Sequence, residues 1–217
     1  MNNIISLKID KKAFGDKEIF SNCKIDIKRG DFVTIYGESG IGKSTLLKMI
    51  GLIENFDGSY LFNGQLVSKK TTEKIRHKHF SYLFQEALLI PYLNVFDNIV
   101  LPLRNEKRKI DNSSITKLAK ELNIEPLLNK KVTNLSGGEA IRVAIARALI
   151  ADKDILVVDE PIGCLDEHNS KIVMNLIEKE HLKGKTIVMV SHSKEFEDMT
   201  NQIVIIKDKK IYAKENN

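Results

Sequence analysis

Residues 31–45 read DFVTIYGESGIGKST, and this stretch decides the fold. Residues 31–37 form an apolar run that ends in glycine, and the apolar spacing of the following KSTLLKMIGLI is typical of a helix. Between strand and helix lies the pattern G-x-x-x-x-G-K-[ST], whose backbone N–H groups wrap a polyphosphate. The order of strand, loop and helix therefore predicts a nucleotide phosphate site in an α/β protein. An ordinary glycine-rich turn would leave the flanking strand and helix unexplained.

The phosphate loop and the start of its helix supply most of the predicted nucleotide-binding residues. Lys43 is expected to reach the β and γ phosphates, and Ser44 is expected to hold Mg²⁺. The helix behind the loop presents its positive N-terminal end to the same phosphates. The predicted set is Gly37, Glu38, Ser39, Gly40, Ile41, Gly42, Lys43, Ser44 and Thr45.

A second motif, ILVVDE at residues 155–160, predicts the acidic half of the same site. Asp159 ends a buried-type strand, and ligands bind at the carboxyl ends of strands in open α/β sheets. We predict that Asp159 binds Mg²⁺ through water and that Glu160 orients or deprotonates the attacking water. A strand ending in acids also serves as a simple cap, but beside a phosphate loop it favours nucleotide hydrolysis. These two motifs are also compatible with kinases, helicases and GTPases.

The rest of the chain alternates between strand and helix signals, which predicts a mainly parallel sheet in the core. Asn63-Gly64 is typical of a two-residue hairpin turn. The predicted elements are strands at 4–10, 23–27, 80–84, 186–192, 202–207 and 210–213, mostly helical structure at 93–134, and helices at about 138–151 and 167–181.

Residues 135–149 read LSGGEAIRVAIARAL, which resembles the signature of the ATP-binding cassette (ABC) ATPases. The resemblance covers essentially the full chain, because further family elements follow in order. It implies an α/β P-loop ABC nucleotide-binding domain over residues 1–217, with an antiparallel β lobe and an inserted helical subdomain at about 87–150. The implied reaction is hydrolysis of ATP to ADP and phosphate with Mg²⁺. A plain P-loop kinase would lack the signature.

The same resemblance assigns roles to individual residues. Phe14 stands where the family stacks an aromatic ring on adenine, and Gln85 matches the glutamine that senses Mg²⁺ and the γ-phosphate. His192 matches the switch histidine, and Asp166 lies in the loop after the catalytic glutamate. The implied catalytic set is Glu160, His192, Gln85 and Lys43, and the implied metal set is Ser44, Gln85 and Asp159.

The signature residues imply that the protein works as a homodimer or pseudo-dimer of ATPase domains. Those residues are Leu135, Ser136, Gly137, Gly138 and Glu139, and they close on the ATP held by the partner's phosphate loop. Two positions depart from the family pattern near the expected dimer contact. Ile162 replaces the usual Ser or Thr, and Cys164 replaces a small or amide residue.

Composition restricts the partners. The chain has 217 residues, 42% of them hydrophobic, which is enough for a sizeable core. The net charge is +5, but the lysines are scattered without interleaved aromatics, so we expect no nucleic-acid partner. Neither a membrane-spanning run nor a signal peptide is expected, and Cys23 and Cys164 have no metal-like spacing. We therefore expect a cytoplasmic protein, peripheral on the inner face of the membrane through a transmembrane permease subunit.

The segment LIPYLNVFDNIVLPL, residues 89–103, looks similar to the subfamily that serves lipoprotein release, macrolide export and antimicrobial-peptide or bacteriocin export. Export of a peptide, bacteriocin or related amphiphile is the favoured role. One alternative is envelope mechanotransmission or cell division through a membrane partner. A second alternative is a soluble ABC ATPase of iron–sulfur assembly.

Overall fold

Two β-sheets organise the computed structural model, which describes residues 3–163, 165–192 and 194–216. The strands are β1 Asn3–Phe14, β2 Lys17–Lys28, β3 Phe32–Tyr36, β4 Asp57–Phe62, β5 Gln65–Leu66, β6 Phe80–Leu83, β7 Ile155–Asp159, β8 Thr186–Val190, β9 Gln202–Lys207 and β10 Lys210–Glu215. The helices are α1 Lys43–Ile50, α2 Lys69–His79, α3 Val95–Asn105, α4 Asn112–Glu121, α5 Gly137–Ile150 and α6 Glu167–Leu182. Short 3₁₀ turns connect several of them.

The larger sheet positions the predicted site. Its strand order is β10-β9-β3-β8-β7-β6, with parallel pairing throughout except at the β9–β10 edge. Strands β7 and β8 are buried along their whole length, which explains their continuous apolar sequences. The carboxyl ends of β3, β7 and β8 therefore meet at one edge, where ligands bind in such sheets.

The smaller, antiparallel sheet has the order β2-β1-β4-β5. Asn63 and Gly64 join β4 to β5 with φ angles of 49° and 75°, as a tight primed hairpin turn requires. Buried residues of this sheet, including Ile5 and Leu7, share one core with Leu46 of α1. The antiparallel sheet thus packs directly against the helix that follows the phosphate loop.

Helices α3, α4 and α5 lie between β6 and β7 in the chain and share a second core with β7 and β8. Helix α2 lies outside the sequence predictions, because its sequence KKTTEKIRHKH offers a single large apolar residue, Ile75, and thus no periodic signal. A capping box between Ser68 and Thr71 begins this helix. Among the described residues, no helix is both long and apolar enough to cross a bilayer.

Candidate functional site

The phosphate loop connects β3 to α1 and adopts conformations that need glycine. Gly42, directly before α1, has a φ of 112°. A Cβ atom on Gly42 would lie 2.6 Å from Cγ2 of Ile19, so backbone and packing both demand glycine. The loop therefore contacts the antiparallel sheet at Ile19 and leads directly into the N-terminus of α1. Such a terminus carries unpaired N–H groups and the positive end of the helix dipole.

Lys43 is folded along the phosphate loop. Its Nζ donates to the carbonyl oxygens of Gly37 and Glu38, at 2.9 Å each, and the residue is only 6% exposed. Backbone carbonyl dipoles thus partly satisfy the ammonium group, while no acidic side chain of the described residues forms an ion pair with it. A buried cation in this setting is well suited to bind an anion.

Ser44 and Asp159 bring a hydroxyl and a carboxylate together. The Ser44 Oγ donates to Oδ1 of Asp159 over 3.3 Å, between the first turn of α1 and the last residue of β7. Burial raises the pKa of Asp159, and the hydrogen bond from Ser44 acts in the opposite direction. Oxygen ligands of these two kinds suit Mg²⁺, which is commonly held by one or two carboxylates together with substrate phosphates.

The Glu160 carboxylate contacts the side chains of both His192 and Gln85. The carboxylate lies 3.0 Å from Nε2 of His192 and accepts a hydrogen bond from Nε2 of Gln85 over 3.5 Å. The Glu160 backbone has a φ of 48°, and its N–H donates to the carbonyl of Val190 at the end of β8. A left-handed conformation costs a non-glycine residue about 1–3 kcal/mol, so this strained position is maintained by the surrounding structure.

The loop that follows Gln85 is tied to two helices by residues that the sequence did not identify. Arg147 of α5 donates to the carbonyls of Ala87 and Leu88 over 2.7 and 2.9 Å. Asn98 of α3 is fully buried, accepts from the N–H of Ile90 over 2.8 Å and donates to its carbonyl over 3.2 Å. These contacts join residues 8 to 60 positions apart, so no local sequence pattern predicts them.

Replacing Asn98 with alanine is expected to lower the free energy of unfolding by about 1–3 kcal/mol, because the N–H of Ile90 loses its partner and the Ile90 carbonyl is left with its bond from the N–H of Leu93. Urea denaturation followed by circular dichroism measures this change. Asn105→Ala, at an exposed position of the same helix, is the matched control and should shift the midpoint little. Equal midpoints for the two variants would show that Asn98 does not hold the loop.

The signature residues begin α5 with a reciprocal cap. Ser136 Oγ accepts from the N–H of Glu139 over 3.3 Å, and the Glu139 carboxylate accepts from the N–H of Ser136 over 2.7 Å. That backbone hydrogen bond lowers the pKa of Glu139. Among the described residues no hydrogen bond or ion pair joins this segment to the phosphate loop. Gly138 instead lies against Leu165, with 3.6 Å between its ideal Cβ position and a Leu165 methyl carbon.

Phe14, Asp166 and Ile162 lie in three different parts of the fold. Phe14 is 50% exposed at the end of β1, and Nζ of Lys12 lies 4.4 Å from its ring centroid. Asp166 caps α6 by accepting from the N–H of Asn169 over 2.9 Å, and this hydrogen bond lowers the pKa of Asp166. Ile162 packs against the second core. Cys164 lies outside the described residues.

Comparison with known proteins gives consistent matches. The family model described as ABC transporter matches residues 20–163. The lipoprotein-releasing system ATP-binding protein LolD of Aquifex aeolicus is 36% identical, over 97% of this chain and 97% of its own length. The macrolide export ATP-binding/permease protein MacB of Mannheimia succiniciproducens is 34% identical over 96% of this chain, which spans only 34% of its length.

Solved structures agree with the sequence matches. A dimeric bacterial ABC transporter cassette superimposes with a TM-score of 0.86 at 31% identity, covering 97% of this chain and 98% of its own. An ATP-binding cassette dimer in a post-hydrolysis state with ADP and phosphate superimposes with a TM-score of 0.84 at 30% identity, with the same coverage. The predicted α/β cassette fold with its antiparallel lobe is thereby confirmed.

Proposed function

Because the chain belongs to the ABC transporter family, we propose that it binds ATP, hydrolyses it with Mg²⁺ and drives a separate membrane permease. The observation that carries the proposal is the convergence of Ser44, Asp159 and Glu160 at the carboxyl end of β7, beside the phosphate loop. Together with Lys43, which supplies a cation for the phosphates, Ser44 and Asp159 supply oxygen ligands for a metal. The Glu160 carboxylate is placed to act on water. These are the groups that phosphoryl transfer to water requires.

The phosphate loop holds the nucleotide in this proposal. Lys43 exchanges its bonds to the Gly37 and Glu38 carbonyls for bonds to the β and γ phosphates. Backbone N–H groups of the loop and the start of α1 bind the same oxygens. Ser44, Asp159 and Gln85 hold Mg²⁺, which neutralises charge on the phosphates when bound. The Phe14 ring stacks on adenine from the antiparallel sheet.

Glu160 acts on the attacking water. Its carboxylate takes a proton while the water oxygen attacks the γ-phosphorus and the bond to the departing ADP oxygen breaks. His192 lies within hydrogen-bonding distance of the same carboxylate and orients it. Gln85 contacts the other carboxylate oxygen, so the loop tied to α3 and α5 is connected to the reacting water. Movement of that loop is our proposed route from hydrolysis to the permease.

The signature segment completes the site in a second copy of the chain. In the monomer Ser136 caps α5 and has no bond to its own phosphate loop among the described residues. We assign Leu135, Ser136, Gly137, Gly138 and Glu139 to the γ-phosphate held by the partner protomer. The helix N-terminus behind Ser136 adds a positive partial charge there. A two-fold dimer then contains two such composite sites, with Asp166 near the contact.

Ser136→Arg is expected to reduce ATP turnover at least about tenfold while monomeric ATP binding persists, because the long side chain blocks closure of the dimer. Steady-state phosphate release and nucleotide titration measure the two quantities. Asn112→Arg, which adds the same side chain to the exposed start of α4, is the matched control. Unchanged turnover in Ser136→Arg would mean that the site does not extend across two protomers.

The relatives guide the proposed cargo. Their names refer to lipoprotein release and macrolide export. We propose that this chain energises export of a comparable amphiphile, such as a peptide or bacteriocin, with the permease holding the chain at the inner face of the membrane. The test is capture of tagged Glu160→Gln protein from detergent-solubilised host membranes in ATP. Recovery of a multi-span permease supports the proposal, and recovery of soluble assembly proteins alone refutes it.

A further inference from the structure

Two tyrosines bind the C-terminal end of α1, the helix whose N-terminus carries Lys43. The hydroxyl of Tyr60 donates to the carbonyl of Ile50 over 2.7 Å, and the hydroxyl of Tyr82 donates to the carbonyl of Gly51 over 2.5 Å. Carbonyls at a helix end have no partner within the helix, so side chains that bind them fix the helix in place. Burial raises the pKa of both tyrosines, which keeps the hydroxyls protonated as donors.

The absence of a side chain at Gly51 leaves room for the Tyr82 ring. The Gly51 φ of −76° is open to every residue type, so the backbone does not require glycine there. A Cβ atom at this position would lie 2.8 Å from Cε1 of Tyr82. The absence of a side chain therefore lets the ring lie against the end of α1, close enough for the hydroxyl to reach the carbonyl.

Tyr82 is also connected to Gln85, three residues further along the chain, through the ring of Phe84. It belongs to β6, and its ring stacks on Phe84 with centroids 5.8 Å apart and planes within 2°. Gln85 follows Phe84 directly, and its amide contacts the Glu160 carboxylate. Tyr60, in contrast, lies in β4 of the antiparallel sheet and has no link to Gln85 along its strand. The two tyrosines therefore bind the same helix end but differ in what they connect to it.

We propose that Tyr82 is a positioning residue that sets the distance of Gln85 from the phosphate loop, with α1 as the rigid spacer. This inference rests on the proposed ATP hydrolysis at the same site. Helix α1 is about 12 Å long, and its first turn holds Lys43 and Ser44. A bond at its far end therefore fixes the position of β6, which ends two residues before Gln85, relative to the residues that bind phosphate and metal. Small errors in such distances reduce chemistry more than binding.

The test compares Tyr82→Phe with Tyr60→Phe. Each variant removes one hydroxyl that donates to a carbonyl of the same helix end, and the Tyr60 hydroxyl is the more deeply buried of the two. Tyr60→Phe is therefore expected to cost at least as much stability as Tyr82→Phe. Tyr82→Phe is expected to lower kcat roughly fivefold with little change in the KM for ATP, because Gln85 is misplaced while the phosphate loop is intact. It should also raise the Mg²⁺ concentration for half-maximal turnover several-fold. Tyr60→Phe is expected to keep the wild-type values.

Gly51→Ala is a second, independent variant, because it displaces the Tyr82 ring without changing its hydroxyl. It should reproduce the low kcat and the altered Mg²⁺ dependence. Thermal unfolding of all variants verifies that they fold. Equal effects of Tyr82→Phe and Tyr60→Phe, or wild-type kinetics in Tyr82→Phe, would overturn the positioning role and leave the ATPase proposal standing. A wild-type protein without turnover would instead overturn both.

Discussion

Replacing Glu160 with glutamine is expected to lower ATP turnover at least about 100-fold, because an amide cannot take the proton of the attacking water. ATP binding should persist, since Lys43 and the phosphate loop are unchanged. The amide oxygen can still accept a hydrogen bond from His192, so the local geometry is largely kept. Phosphate release under saturating ATP measures the loss, and nucleotide titration measures the retained affinity.

The matched control is Glu73→Gln, which makes the same chemical change on the exposed surface of α2. It should leave turnover at the wild-type level. If Glu160→Gln kept more than a tenth of the wild-type turnover, Glu160 would not be the group that activates water. Loss of ATP binding in the same variant would place Glu160 in nucleotide binding instead of chemistry.

Replacing Lys43 with alanine is expected to weaken ATP binding about 100-fold, because the β and γ phosphates lose a charge-assisted partner of about 2–4 kcal/mol. Turnover should then fall below detection at ordinary ATP concentrations. The fold should persist, since the lysine bonds only to the Gly37 and Glu38 carbonyls in the described contacts. Calorimetric titration with non-hydrolysed nucleotide measures the affinity, and circular dichroism verifies the fold.

Lys70→Ala, on the exposed side of α2, removes a lysine without touching the phosphate loop and serves as the control. Its ATP affinity should match that of the wild type. Comparable affinity of Lys43→Ala and Lys70→Ala for ATP would contradict the assignment of Lys43 to the phosphates.

Local sequence patterns predicted much of the fold because its decisive elements are short and strongly patterned. Strands β7 and β8 read as continuous apolar runs since both of their faces are buried. The Asn63-Gly64 turn was predictable because few residues accept its positive φ angles. Helix α2 was not predictable, since it has no buried residue and its start depends on a cap between Ser68 and Thr71.

The candidate site shows the same division. The phosphate loop and the Asp159-Glu160 pair were predictable from sequence motifs, because their proposed chemistry depends on residues adjacent in sequence. The contacts of Asn98, Arg147 and Tyr82 are long-range or depend on the packing of separate elements, so they became visible only in the structure. The left-handed backbone of Glu160 and its bond to Val190 of β8 likewise became visible only in the structure.

The central claim is that ATP is enclosed between the Lys43 loop of one protomer and the Ser136 segment of another. Light scattering of Glu160→Gln protein with ATP and Mg²⁺ tests it most directly. We predict a mass twice the 24.6 kDa of the chain in ATP, a monomer in ADP, and a monomer in both nucleotides once Ser136→Arg is added. A Glu160→Gln protein that binds ATP and stays monomeric, or a dimer that tolerates Ser136→Arg, would contradict the account.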